Sequence, residues 1–375
     1  MMRRTGMSEL SLNASTRFTV NNPSRILDQV LDHFVEHADV ERQENSARLV
    51  LSFGQADVQW DKDAVSVDVK SRDETGLAYM KYSIVEHVME FLEKGSPKPR
   101  IVWEGDGAAG LPLPYFREMQ VVAVSNVTPH MRRVRLKGNE LARFAHTGLH
   151  IRLLFPPKGL ATPQWPVSGE DGRPVWPEGE AKLATRVYTI RQIDAQAGWV
   201  DIDMVVHGDD CDAPGSGWAI SAKPGDIVGM TGPGGGDAAA DANWYLLAGD
   251  ETALPAIGRI LERLPEGAKA VVRIEIDSDA EEQAIQSRAD VDLQWLHRKG
   301  AEAGTTTLLQ DAVRAVELPE GEESIYVWAG CEFNAFRSIR TYMRKERNIP
   351  KDKQLIVAYW RRGLDGDSAR RGADD

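Results

Sequence analysis

The stretch "RVYTIRQID", Arg186 to Asp194, sets two arginines, a tyrosine and a threonine on one alternating run. Alternation of this kind makes a half-buried strand. A guanidinium forms forked, charge-assisted bonds to a pyrophosphate, and Arg186 has the residue type for that task. Tyr188 falls on the same face two residues on, where its ring can stack on a planar ligand. Thr189 and the backbone beside it can hydrogen-bond the edge of such a ring. Arg191 falls on the side opposite Tyr188 unless the strand bulges. Downstream, "APGSGWAISA" supplies Gly215 and Gly217 for close backbone approach. Ser216 is the expected N-cap of a helix beginning near Trp218, whose first N–H groups suit a phosphate. Either motif alone reads as a surface turn or an ordinary strand. Together, ahead of a closing "GPGG", they describe a site for something planar and anionic.

Such a site needs a scaffold. From Tyr115 the chain reads as strands: "REMQVVAVSNVTPHMRRVRLKG" gives two, "GLHIRLLFPP" a third, "RVYTIRQI" and "WVDIDMVVHG" a pair, and "GDIVGMTGPGG" the last. Short strands at regular spacing predict an antiparallel six-stranded β-barrel over 107–242. From 243 to 363 strands alternate with helices: "WYLLAG", "ETALPAIGRILERL", "AVVRIEI", "VDLQWLH", "SIYVWAG", "EFNAFRSIRTYMRKER" and "QLIVAYW". That rhythm predicts an α/β domain with a mostly parallel sheet. Residues 1–106 read as a small N-terminal α+β domain. It has the helix "PSRILDQVLDHFVEH", strands "ARLVLSF" and "DAVSVDVK", and the helix "YMKYSIVEHVMEFLEK", ending at Gly95 and Pro97. "GDGAAGLPLP" reads as a linker. Residues 364–375 lack apolar periodicity and are expected to be disordered.

The 375 residues carry a net charge of −12, with basic residues dispersed. Nucleic-acid binding needs a basic field, so that class is set aside. The start, "MMRRTGMSELSLNASTRF", has no apolar run behind its arginines, and no segment is long and apolar enough to insert in a membrane. Cys211 and Cys331, far apart, cannot build an iron–sulfur cluster or a four-cysteine zinc site, and a disulfide scaffold is not expected. A cytoplasmic protein is expected, of open oligomeric state.

In the segment "LLAGDETALPAIGRILERL", Asp250 or Thr252 is the expected cap of an amphipathic helix, at the strand end where nucleotides bind. No glycine-rich dinucleotide fingerprint is present, which favours a reductase-type nicotinamide domain. "IEIDSDAEE" is acidic, as a ribose diol prefers, whereas Arg337, Arg340 and Arg344 form a basic stripe. NADH and NADPH both stay open.

From about Glu118 to Gly363 the chain resembles the siderophore-interacting, FAD-dependent ferric reductases, a branch of the ferredoxin-reductase-like fold. The matching stretches run in order: "VTPHMRRVRL", "HIRLLFP", "RVYTIR", "VVHG", "PGSGWA", "KPGD", "GPGG", "GDETALPAI", "WAGCEFNAFRSIR" and "YWRRG". The first hundred residues resemble a small domain of unassigned role found ahead of such reductases. The resemblance implies FAD on the barrel, held by Arg186, Tyr188, Thr189, Arg191, His207, Gly215, Ser216, Gly217 and Trp218. It implies NADH or NADPH at Asp250, Glu251, Thr252 and Ala253. The flavin then carries the chemistry, with no catalytic side chain and no resident metal. The substrate would be a ferric siderophore, whose hard oxygen donors release iron on reduction to the ferrous state. Arg152 matches a basic substrate-binding position. Lys353, Arg361 and Arg362 are further candidates, although adjacent Arg361 and Arg362 cannot share one strand face.

Three other readings compete. "HFVEH" places His33 and His37 on one helix face in a zinc-protease spacing, without a clear third ligand. The flavin could pass electrons to a protein or a quinone instead. The chain could also be a non-enzymatic siderophore-binding module.

Overall fold

The structure, a computed structural model, describes residues 10–35, 38–146, 148–160, 162–206, 214–238, 241–319 and 324–364. His37, His207, Cys211 and the tail from 365 lie outside the described residues. The chain divides into two compact units, Met1–Phe116 with Ala161–Lys182, and Arg117–Leu160 with Leu183–Asp375.

In the first unit, β1 (Leu12–Thr19), β2 (Asp39–Gln43), β3 (Ser46–Leu51), β4 (Gly54–Trp60), β5 (Ala64–Ser71) and β6 (Glu104–Gly105) form one sheet, interrupted in sequence by α1 (Pro23–Phe34) and α2 (Glu74–Glu90). Its order is β2-β3-β4-β5-β1-β6, antiparallel throughout. The sequence reading found two of these six strands. The apolar stripe of α1, Ile26, Leu27, Val30, Leu31 and Phe34, is buried in one core with Val65, Val67 and Val69 of the sheet. Asp73 caps α2 by accepting the Gly76 N–H at 2.7 Å. The segment 162–182, inserted between barrel strands in the sequence, folds with this unit. Trp103 donates its backbone N–H to Glu170 O and its indole N–H to Asp171 O, both at 3.0 Å.

The second unit holds the barrel and the α/β layers. Its barrel strands are β7 (Phe116–Thr128), β8 (Met131–Lys137), β9 (His150–Phe155), β12 (Ala184–Asp194), β13 (Trp199–Val205) and β14 (Ile227–Gly234). The intervening β10 (Val167–Ser168) and β11 (Pro174–Val175) form the hairpin of the inserted segment. The barrel closes in the order β12-β13-β8-β7-β14-β9 around Val134, Leu136, Ile151, Leu153, Ile190 and Ile202. Two short helices attach to it, α3 (Ala142–His146) and α4 (Ser216–Ser221). Its wall is braced by two bidentate cross-strand pairs, Arg133–Asp203 and Arg135–Asp201, at 2.7–2.8 Å. Both carboxylates are buried, so each guanidinium replaces the water its partner lost.

The parallel sheet orders β17-β16-β15-β18-β19. It contains β15 (Trp244–Asp250), β16 (Lys269–Ile276), β17 (Asp290–His297), β18 (Ile325–Glu332) and β19 (Gln354–Trp360), with α5 (Leu254–Arg263), α6 (Leu308–Arg314) and α7 (Phe333–Thr341) between them. β15 is buried along its whole length, as a central strand covered on both faces must be. No helix among the described residues is long and apolar enough to cross a membrane.

Candidate functional site

β12 pairs with β9 so that Arg186 faces Leu153, Val187 faces Arg152, Tyr188 faces Ile151 and Thr189 faces His150. Opposed residues share a side of the sheet. Arg186 and Tyr188 therefore look one way, and Thr189, His150 and Arg152 the other. Gly215 lies against the first side. A Cβ there would collide with the Tyr188 hydroxyl and come within 3.7 Å of the Arg186 side chain. Its φ of −94° suits any residue, so close approach, not backbone conformation, demands glycine. Burial pushes the Tyr188 phenol above its usual range, and the neighbouring Arg186 only partly offsets this. Thr189 is buried.

Ser216 is not the cap. Gly215 holds that position, accepting the Ala219 N–H at 3.0 Å, and no side chain caps the helix. Ser216, Gly217 and Trp218 are the first helical residues, and their N–H groups have no acceptor within the helix. Trp218 rests on Phe155 with ring centres 5.0 Å apart. A guanidinium, a phenol and a helix start thus meet at one glycine. This donor set fits the pyrophosphate and planar ring of a flavin dinucleotide.

Arg191 sits where the β12–β13 pairing slips, between Ile190 and Gln192. Its guanidinium pairs with Glu262 at 2.7 Å and packs on Gly258 of α5. Arg259, 4% exposed, crosses the same joint and donates to Ile190 O at 3.0 Å and Phe144 O at 3.3 Å. Burial lowers its pKa to about 10. Arg191, Arg259 and Arg263 line a cleft of about 560 Å³ at the carboxyl end of α5. The structure therefore commits Arg191 to the joint between barrel and sheet.

At the carboxyl end of the parallel sheet, Asp250 does not cap α5. The cap is Ala253, without a side-chain bond. Asp250 Oδ1 accepts the backbone N–H and hydroxyl of Thr252, so this pair forms a turn ahead of the helix. Asp250 Oδ2 accepts the Trp360 indole N–H at 2.8 Å and the Glu332 N–H at 3.0 Å, drawing together the ends of β15, β18 and β19. Burial raises the Asp250 pKa to about 6, against the pull of the Thr252 bonds. Glu251 is held by Arg298 at 2.6 and 2.9 Å, and Glu275 lies 3.7 Å from the same guanidinium. Glu251 is therefore a member of an internal ion cluster.

Two residues that the sequence reading did not single out connect the sheet to the barrel edge. His150, opposite Thr189, shares a 2.6 Å hydrogen bond with Tyr359 of β19. The Tyr359 ring covers Gly330, where a Cβ would stand 2.9 Å from it. Gly330 pairs with Gly249 at the end of β15. A line of contacts thus runs from Thr189 through His150 and Tyr359 to two adjacent glycine strand ends.

The four basic candidates separate. Arg152 is exposed on β9 and has no ion pair among the described residues. Arg361 lies over the Phe333 ring at 4.3 Å. Arg362 turns to Glu302, bonded at 2.7 and 3.1 Å. Lys353 precedes β19, at the amino end of the sheet, and pairs with Asp241 at 3.8 Å. That end lies opposite the strand termini where ligands of such sheets bind.

Residues 120–237 match the model of the siderophore-interacting FAD-binding domain, and residues 242–363 that of the siderophore-interacting protein. Ferric vibriobactin reductase ViuB of Vibrio cholerae serotype O1 is 35% identical over 252 residues, 66% of this chain and 90% of the relative. The chain belongs to the siderophore-interacting protein family. As in other siderophore-interacting proteins, its barrel is an FAD-binding domain, and the protein is an oxidoreductase. Two solved members have the same fold. The siderophore utilization protein from T. fusca is 35% identical, covers 67% of this chain and 94% of its own, and has a TM-score of 0.58. SipS from Aeromonas hydrophila is 29% identical, covers 70% and 97%, and has a TM-score of 0.57. Residues 15–104 match a separate family, described as an uncharacterized protein conserved in bacteria, DUF2218.

Proposed function

We propose that the protein is an NAD(P)H-dependent, FAD-containing reductase of ferric siderophores that releases iron as Fe(II) in the cytoplasm. The carrying observation is the meeting of Arg186, Tyr188 and Gly215, joined by β12 itself to the Thr189–His150–Tyr359 line. In this reading Arg186 and the first N–H groups of α4 hold the pyrophosphate. Tyr188 packs against the ring, and the backbone at Thr189, whose side chain faces the other side of β12, meets the ring's polar edge. The chemistry FAD supplies is the conversion of a hydride into single electrons for ferric iron, a task no side chain performs.

The chain's own residues prepare the two approaches. Gly249 and Gly330, without side chains near the strand ends, let Ala253 and the Tyr359 ring pack directly on the sheet, next to Asp250, Thr252 and Ala253, where this reading sets the nicotinamide nucleotide. Tyr359, pinned by His150, covers that surface and keeps water from it. Arg152 and Arg361 offset the general negative charge of the protein and attract an anionic ferric chelate. Arg191, Glu251, Arg362 and Lys353 stay with their carboxylate partners and serve the scaffold.

Steady-state reduction of a ferric hydroxamate or catecholate, followed with a chromogenic ferrous trap and either nicotinamide, tests this reading. Trap colour that depends on protein, FAD and reduced nicotinamide supports it. Nicotinamide oxidation with ferredoxin or a quinone but no ferrous product would replace it with the electron-carrier reading.

A further inference from the structure

Within the first unit, α1 and α2 bring two histidines together. His33 and His87 have ring centres 4.6 Å apart with planes inclined by 40°. Phe34 stands 4.6 Å from His87, and Phe91 6.3 Å from His33, so the pair has an aromatic wall. Both histidines are half-buried, and neither belongs to the apolar core of the unit. The His87 Nδ1–H donates to Ser83 O, one helical turn back, at 2.6 Å. That bond fixes the tautomer and leaves Nε2 as the nitrogen with a lone pair. A backbone carbonyl holding the second ring nitrogen is how metal-ligating imidazoles are oriented.

The spacing suits one shared ion. With a metal about 2.0–2.1 Å from each ligating nitrogen, and so roughly 3.2 Å from each ring centre, two imidazoles at right to tetrahedral angles stand about 4.5–5.2 Å apart. The observed 4.6 Å falls within that range.

We propose that His33 and His87 form a two-histidine site for a first-row divalent cation of the class imidazole prefers, such as Zn²⁺, Ni²⁺ or Fe²⁺. No group of three His, Cys, Asp or Glu residues suited to a metal occurs among the described residues, so the remaining coordination positions are open to water or a small ligand. Two protein ligands place the affinity well below that of closed structural zinc sites. The site lies on helices of the first unit and does not depend on the reductase reading.

Metal-free full-length protein titrated with Zn²⁺ and with Ni²⁺ in a calorimeter at neutral pH tests it. The expected result is one equivalent bound, weakened about tenfold or more by His33→Ala and by His87→Ala. Binding should also weaken toward acid pH, because protons compete for the imidazoles. Far-UV circular dichroism and melting temperature establish that both variants are folded. Should either variant lose its fold, His87→Gln replaces the lost volume and removes Nε2 as an imidazole ligand. No heat of binding in the wild type, or binding that His87→Ala and His87→Gln leave unchanged, would overturn the site.

Discussion

Gly215→Ala isolates the contact on which the flavin reading rests. The backbone at Gly215 tolerates a side chain, with φ at −94°, so the only cost is steric. The added methyl meets the Tyr188 hydroxyl first, far inside contact distance, then Tyr188 Cζ at 3.4 Å and Arg186 Cγ at 3.7 Å. The last two are ordinary contacts. Accommodation requires Tyr188 to swing or α4 to retreat, an overpacking cost of about 1–3 kcal/mol. Since both groups line the proposed FAD site, that cost appears as FAD affinity weakened about 5- to 150-fold. Quenching of free FAD fluorescence on titration with apoprotein measures it. Tyr188→Phe removes the colliding oxygen, so Gly215→Ala with Tyr188→Phe should recover most of the lost affinity. Unchanged FAD binding in Gly215→Ala refutes the reasoning. So does a double variant as weak as Gly215→Ala alone, provided Tyr188→Phe by itself binds normally.

Other consequences follow from the same geometry. Arg186→Ala should lose bound FAD, whereas Arg191→Ala should keep it while lowering the melting temperature; equal flavin loss in both would return Arg191 to the site. Arg152→Ala should raise KM for an anionic ferric siderophore with flavin content intact, and an unchanged KM removes Arg152 from the substrate path. The Asp250 pKa, raised by burial to about 6, is above its unfolded value. Its stabilising contribution is therefore full below about pH 4 and lost as pH rises through 6. Relative to Asp250→Asn, the wild type should gain about 2–3 kcal/mol between pH 7 and pH 4, the shift at 1.36 kcal/mol per unit. Urea unfolding at both pH values measures this, and a pH-independent difference contradicts the buried-acid account.

The barrel and the parallel sheet were legible because their strands alternate or run apolar, with turns between them. The sheet of the first unit was less so. β1, "LNASTRFT", and β4, "GQADVQW", turn small or polar residues such as Ala14, Thr16 and Ala56 inward, and these carry little periodic signal. The segment 162–182 has the proline and glycine of a loop, and only its tertiary bonds to Trp103 show which unit it joins. Helix starts were misread for one reason. Capping rules look for Ser, Thr or Asp, but Gly215 caps α4 by backbone alone, and Asp250 spends Oδ1 on the Thr252 turn and Oδ2 on β18 and β19. The Arg186–Tyr188 and Gly215–Gly217 motifs are local and could be read directly. His150–Tyr359 and Arg191–Glu262 join residues far apart in the chain, so no local pattern announces them.

The most direct measurement follows bound flavin absorbance anaerobically, first on adding one equivalent of reduced nicotinamide and then on adding a ferric siderophore with a ferrous trap. The account predicts bleaching in the first step. In the second it predicts return of the oxidised spectrum with roughly two ferrous ions trapped per flavin, since a hydride carries two electrons and each iron takes one. A flavin that neither NADH nor NADPH bleaches, or one that is reoxidised without trapped ferrous iron, would contradict it.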